Sequence, residues 1–133
     1  MQVVSTIDIE DALRVDVAEW LDEGVITCAP PAPDDLLPGT ICFTSLGGSA
    51  QSVVSHEYDV SVDTWAATIE DAIELANQAQ GIVASLPYRV TSSSRQYATA
   101  SAMAPYINPD TRRPLIPRVT FRATVGIRGV ASI

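Results

Sequence analysis

The sequence predicts an α+β domain: one antiparallel sheet of four to five strands with two helices packed on one face, in the order α-β-β-α-β-β. Three observations carry this. In PRVTFRATVGIRG, Pro117 to Gly129, the residues Val119, Phe121, Ala123, Val125 and Ile127 alternate with polar neighbours, the period of a half-buried strand. Tyr58, Val60, Val62 and Thr64 alternate in the same way with Asp59, Ser61, Asp63 and Trp65. From Ile69 to Leu86 the apolar spacing changes to three and four, the period of a helix. Strands with one apolar face and helices with one apolar stripe bury both most simply as two layers.

Asp8 opens the first helix, where its carboxylate can accept the Asp11 N–H and acids crowd the positive end of the dipole. Ile9, Ala12, Leu13, Val17, Trp20 and Leu21 fall on one side and Glu10, Asp11, Arg14, Glu19 and Asp22 on the other, so the helix is amphipathic and stops near Gly24. A proline-rich linker over 29–39 follows, because the four prolines of CAPPAPDDLLPG suit neither a helix interior nor a central strand. Thr40–Leu46 is a short strand that Gly47-Gly48 breaks. Residues 47–56 then form a flexible connection, or a hairpin reaching out from the body.

The strand EYDVSVDTW, Glu57 to Trp65, leads into the second helix, capped by Thr68 with Asp71 three residues on. Its buried stripe is Ile69, Ala72, Ile73, Ala76, Ala79, Ile82, Val83 and Leu86, and the alanines suit close approach to a sheet. Glu70, Asp71, Glu74, Asn77 and Gln78 face outward. Tyr88–Ala100 supplies a third strand, and residues 105–117 an extended, proline-rich arm with Arg112-Arg113 at its tip. The final strand starts at Arg118. No repeat or boundary divides residues 1–133, which read as one domain.

At 133 residues and 47% hydrophobic content, the chain has the material for a packed core. No apolar run approaches the ~20 residues of a membrane-spanning helix. The opening MQVVSTIDIED lacks the basic start and apolar centre of a signal peptide, so the cytoplasm is the expected compartment. Cys28 and Cys42 read first as reduced, small hydrophobic residues and second as a disulfide. A zinc site would need more ligands than the single histidine, His56, can add.

Charge is segregated along the chain. Residues 1–88 hold fifteen acids and one base, Arg14, whereas residues 89–133 hold seven arginines and one acid, Asp110; the total is −8. All eight bases are arginines, whose planar fork suits carboxylates and phosphates held in fixed geometry. Arg118, Arg122 and Arg128 share the polar face of the last strand with Thr120 and Thr124.

The residues offer no catalytic constellation. His56 stands in a serine-rich connection without a nucleophile motif, and SLGGSAQS lacks the lysine and following helix of a phosphate loop. The acids of both helices read as solvated faces. No enzyme, metal site or cofactor is expected. Three roles remain for the arginines: pairing with acids of their own chain or with water, binding nucleic acid, or meeting the acidic surface of another copy. A subunit with opposite charges on two surfaces is suited to head-to-tail association, which can close into a ring. Nucleic-acid binding is the weakest of the three, because the chain is acidic and few aromatic residues lie among the arginines.

Several stretches together resemble the tail-terminator, or tail-completion, proteins of long-tailed bacteriophages. They are ALRVDVAEWL, with its tryptophan-leucine pair; CFTSLGG; the strand-to-helix passage YDVSVDTWAATIEDAIELANQAQGIVASL; and the closing NPDTRRPLIPRVTFRATVGIRG. The likeness covers nearly the whole chain and rests on patterns of packing and turns, not on one motif. It implies a small α+β subunit of a virion, with no catalysis, forming a hexameric ring on the head-proximal end of the tail tube. Such a ring stops tube polymerisation, contacts the tail tube protein and a neck or connector protein, and lets phage DNA pass without sequence-specific binding. A neck or head-completion protein of the same particle is the nearest alternative. On this resemblance, Arg118, Arg122 and Arg128 should meet acids of an adjacent subunit or line the channel, and Arg112 and Arg113 of the arm belong to the expected subunit or partner interface. Asp59, Asp63, Glu70, Asp71 and Glu74 are the acids expected at the same subunit or partner interface. Trp65 is expected either under the start of the second helix or as an aromatic interface anchor.

Overall fold

A computed structural model of the chain describes residues 3–5, 8–50, 55–93, 95–128 and 130–132. The elements follow in the order β1 (Val3–Ser5), α1 (Ile9–Ala18), β2 (Ile26–Cys28), β3 (Thr40–Ala50), β4 (Ser55–Trp65), α2 (Ile69–Ser85), a 3-10 turn at Leu86–Tyr88, β5 (Tyr97–Ala102), β6 (Tyr106–Ile107), β7 (Arg118–Arg128) and β8 (Val130–Ser132). The class is α+β, as the periodicities imply, but the sheet is larger and mixed. Six strands run in the order β2-β3-β4-β7-β5, with β6 lying beyond β5 along the same edge of β7. All pairs are antiparallel except β2 with β3, and β1 pairs with β8 in a separate two-stranded ribbon.

The helices form because their caps and stripes agree. Asp8 accepts the backbone N–H groups of Glu10 and Asp11 at 3.1 and 3.3 Å, and Thr68 accepts that of Asp71 at 3.1 Å. Helix α1 ends at Ala18, short of Gly24, because the chain must turn to enter β2. Gly24, at φ 93°, serves that turn instead. Trp20 therefore lies outside the helix and half exposed, with the Arg89 guanidinium 4.5 Å above its ring. Along α2 the buried positions include Leu75, while Ile73 is partly exposed; Ala72, Ala76 and Ala79 are fully buried against the sheet.

Both helices lie on one face of the sheet, the inner face. One core joins Ile9, Leu13 and Val17 of α1 and the alanines of α2 to Phe43, Val60, Val62, Phe121 and Val125. The outer face is divided. At one end the proline-rich segment 29–39 and the arm 105–117 fold over a second small cluster of Leu36, Cys42 and Trp65, against which Cys28, Ala32 and Ile116 pack. At the other end the sheet is uncovered among the described residues, with Asp59 and Arg122 exposed.

Several expected boundaries move. The strand expected at Tyr88–Ala100 is β5, Tyr97–Ala102, because Leu86–Tyr88 extends the helix as a 3-10 turn. Gly47-Gly48 does not end β3: the register slips at Leu46, a bulge that Gly47 accommodates at φ 117°, and pairing resumes to Ala50. Residues 47–50 and 55–56 of the expected flexible connection are thus strand, and 51–54 lie outside the described residues. The arm is not extended. Its residues Tyr106 and Ile107 pair with Thr120 and Val119, and Asp110 is buried.

Candidate subunit interface on the outer sheet face

The alternation of β7 sends Val119, Phe121, Ala123, Val125 and Ile127 inward and Arg118, Thr120, Arg122 and Thr124 outward. Register places the polar residues of β4 beside them: Trp65 opposite Arg118, Asp63 opposite Thr120, Ser61 opposite Arg122 and Asp59 opposite Thr124. Asp59 and Asp63 thus share a face with the arginines but bond to the threonines. Thr124 donates to Asp59 at 2.8 Å and Thr120 to Asp63 at 2.6 Å. The strand rise of about 3.3 Å per residue sets Arg118 and Arg122 about 13 Å apart, and Arg122 and Arg128 about 20 Å apart. Both separations exceed the ~8 Å screening length at physiological salt, so the arginines act singly.

Two of the expected interface arginines are used inside the chain. Arg113 is not a free arm tip: its Nη1 bonds Asp110 at 3.0 Å, and its Nη2 reaches the carbonyls of Ala32 at 3.2 Å and Pro33 at 2.6 Å. Arg118 donates Nε to the Asn108 carbonyl at 2.7 Å, so it braces the arm. Trp65 is 2% exposed and packs on the outer face beneath linker and arm, away from the helices, so it is neither under the start of α2 nor an exposed anchor. Its indole donates to Asp110, and Arg113 and Arg118 lie 5.9 and 6.0 Å from its ring centroid. Burial alone would raise the Asp110 carboxyl. Hydrogen bonds from Arg113, the Arg112 backbone and Trp65, with the charge of Arg118, outweigh that and hold it below the usual carboxylate range. No sequence period reveals this knot, because its members come from three separate segments.

What remains open is the other half of the face. Leu46, Asp59, Ser101, Met103, Arg122 and Thr124 line a shallow depression of about 380 Å³. Leu46 and Met103 are exposed hydrophobics, and Arg122 is exposed with no ion pair among the described residues. An arginine framed by apolar side chains is the composition of an interface centre. Leu46 follows Cys42 and Thr44 on the outward-facing positions of β3 and borders the depression just before the bulge at Gly47. Arg112 is exposed beside the covered half, and Arg128 stands at the far end of β7 near Arg89 and Arg95.

Glu70, Asp71 and Glu74 are exposed on α2, on the side of the molecule away from β7's arginines, and none has an ion-pair partner among the described residues. A second buried acid is Asp16, which no pattern in the sequence marks. It accepts from Ser93 at 2.7 Å, Arg95 at 3.1 Å and the Tyr97 hydroxyl, and so fastens α1 to β5. Among the described residues no three histidine, cysteine or acidic side chains are placed to hold a metal ion, and no helix is long and apolar enough to cross a membrane. Compared with protein-family models and with curated proteins, the chain finds no match.

Proposed function

We propose that this chain is a structural virion protein that caps the head-proximal end of a phage tail tube as a hexameric ring. The ring ends tube polymerisation and offers the surface on which the head is joined, with the host cytoplasm as the site of assembly. One observation supports self-association most directly: an exposed arginine on the outer sheet face and exposed acids on α2, none with an ion-pair partner among the described residues, occupy opposite sides of a two-layer subunit. Such a subunit is complementary to a rotated copy of itself, and head-to-tail contacts close into a ring when the rotation between copies divides a full turn. In this reading Arg122 of one subunit meets Glu70, Asp71 or Glu74 of the next, with Leu46 and Met103 in the contact. The resemblance to tail-terminator proteins supplies the identity of the ring.

An interface suits the open depression better than a channel wall. A wall passing DNA has no use for exposed Leu46 and Met103, and a phosphate-binding stripe would not interleave Asp59 and Asp63 with its arginines.

The test is the length distribution, by electron microscopy, of tails assembled with and without the protein. Overlong tubes in its absence, and uniform tubes bearing an added ring when it is supplied, support termination. Tails of normal length left unjoined to heads move the assignment to a neck connector. Complete particles in its absence remove both readings.

A further inference from the structure

The strand β2 went unrecognised in the sequence, and its pairing brings together the two cysteines. In the parallel β2–β3 ladder the register is Ile26 with Thr40, Thr27 with Ile41 and Cys28 with Cys42. Paired residues of a parallel ladder carry their side chains on the same face at the same level. Adjacent strands stand about 4.8 Å apart, inside the ~4.4–6.8 Å range of Cα separations that a disulfide bridges. Both cysteines are free thiols, Cys42 buried in the outer cluster with Leu36 and Trp65 and Cys28 partly exposed at its edge. Each also borders an open depression, Cys42 beside Trp65 and Cys28 beside Leu36, so a small reagent can approach.

We propose that Cys28 and Cys42 form a dithiol modification site that a low-molecular-weight disulfide of the glutathione type oxidises to an intrachain cross-link between β2 and β3. Cys28, the more exposed thiol, loses its proton and attacks one sulfur of the reagent. A mixed disulfide forms on Cys28 and the first glutathione leaves as a thiolate, which takes up a proton. Cys42 then gives its proton to solvent and attacks the Cys28 sulfur, expelling the second glutathione, which is protonated in turn. Two protein thiols are oxidised and one small disulfide is reduced to two thiols. Burial, with the neighbouring Cys28 next, pushes the Cys42 thiol up to about 12, which agrees with Cys28 attacking first.

The cross-link would close the loop that holds the proline-rich segment, and so fasten the rim over Trp65. Because the folded register preorganises the pair, folding and oxidation should favour each other. The test equilibrates the full-length reduced protein with mixtures of reduced and oxidised glutathione, in native buffer and in urea, and reads the products by peptide mass spectrometry. The expected result is a Cys28–Cys42 cross-link without retained glutathione, with an equilibrium constant about tenfold or more higher in the folded chain than in the unfolded one. An equal or lower constant in native buffer would overturn the proposal. So would a persistent glutathione adduct on Cys28, cross-linking between chains, or thiols that stay free under conditions that oxidise the unfolded chain.

Discussion

Trp65 donates its indole N–H to the carboxylate of Asp110 across 3.1 Å, joining the end of β4 to the middle of a proline-rich arm. The same carboxylate holds Arg113, which in turn grips the carbonyls of Ala32 and Pro33. One buried acid therefore fixes two irregular segments over one end of the sheet.

Asp110→Asn should cost about 2–3 kcal/mol at pH 7, because it leaves Arg113, 13% exposed, without its counter-charge while the carbonyl bonds persist. The sign of the pH dependence follows from the depressed carboxyl. Its contribution is complete above the unfolded pKa of about 3.9 and is lost as pH falls through the lower folded value. Urea titrations should show the gap between wild type and variant at pH 7 closing in acid below about pH 4. A gap that persists unchanged at low pH would contradict this role.

Tyr97→Phe should destabilise the fold by about 1–2 kcal/mol, since it removes one of three donors to fully buried Asp16. Burial, and then the bond to Asp16, raise the Tyr97 phenol well above its ordinary value. This contribution is present below the unfolded tyrosine's pKa of about 10 and is lost as pH rises beyond it, so the two proteins should converge in stability in strong base. Spectrophotometric titration should find Tyr97 ionising only as the chain unfolds.

Gly126→Ala should cost about 1–3 kcal/mol, because a Cβ there would collide with the Thr99 hydroxyl across the β5–β7 pair. Thr99→Ala removes the colliding atom. Thermal melts of both single variants and the double variant should therefore show the double less destabilised than the sum of the singles. Additivity would mean that the strain lies elsewhere.

Arg122→Glu should leave the monomer's melting temperature nearly unchanged, since the side chain is exposed and unpaired among the described residues. It should weaken subunit association about 10- to 100-fold, measured by sedimentation or by ring occupancy on purified tails. Reversing Glu70 and Glu74 to Arg in the same chain should restore part of the loss. Unchanged assembly of Arg122→Glu would take the arginine face out of the subunit contact.

Much of the architecture was written in local periods. The alternation of β4 and β7 placed Val60, Val62, Phe121 and Val125 in one core and Asp59, Asp63 and Arg122 on the opposite face, and both do lie so. The caps Asp8 and Thr68 marked both helix starts. Period and capping depend on residues within a few positions of each other, and such short-range constraints survive without knowledge of the rest of the chain.

The tertiary structure decided which polar residues are spent. The expectation of an extended arm failed because the pairing of Tyr106 and Ile107 with β7, and the bonds of Asp110 and Arg113, join residues far apart in sequence. Strand β2 has three residues, too few to show a period, so neither its parallel pairing nor the meeting of Cys28 with Cys42 could be read beforehand. The sequence by itself determined two layers, one core and the sign of charge on each half of the chain. Which arginines are bound within the chain was settled only when distant segments folded over one end of the sheet, because a buried charge must find its partner wherever the chain brings one.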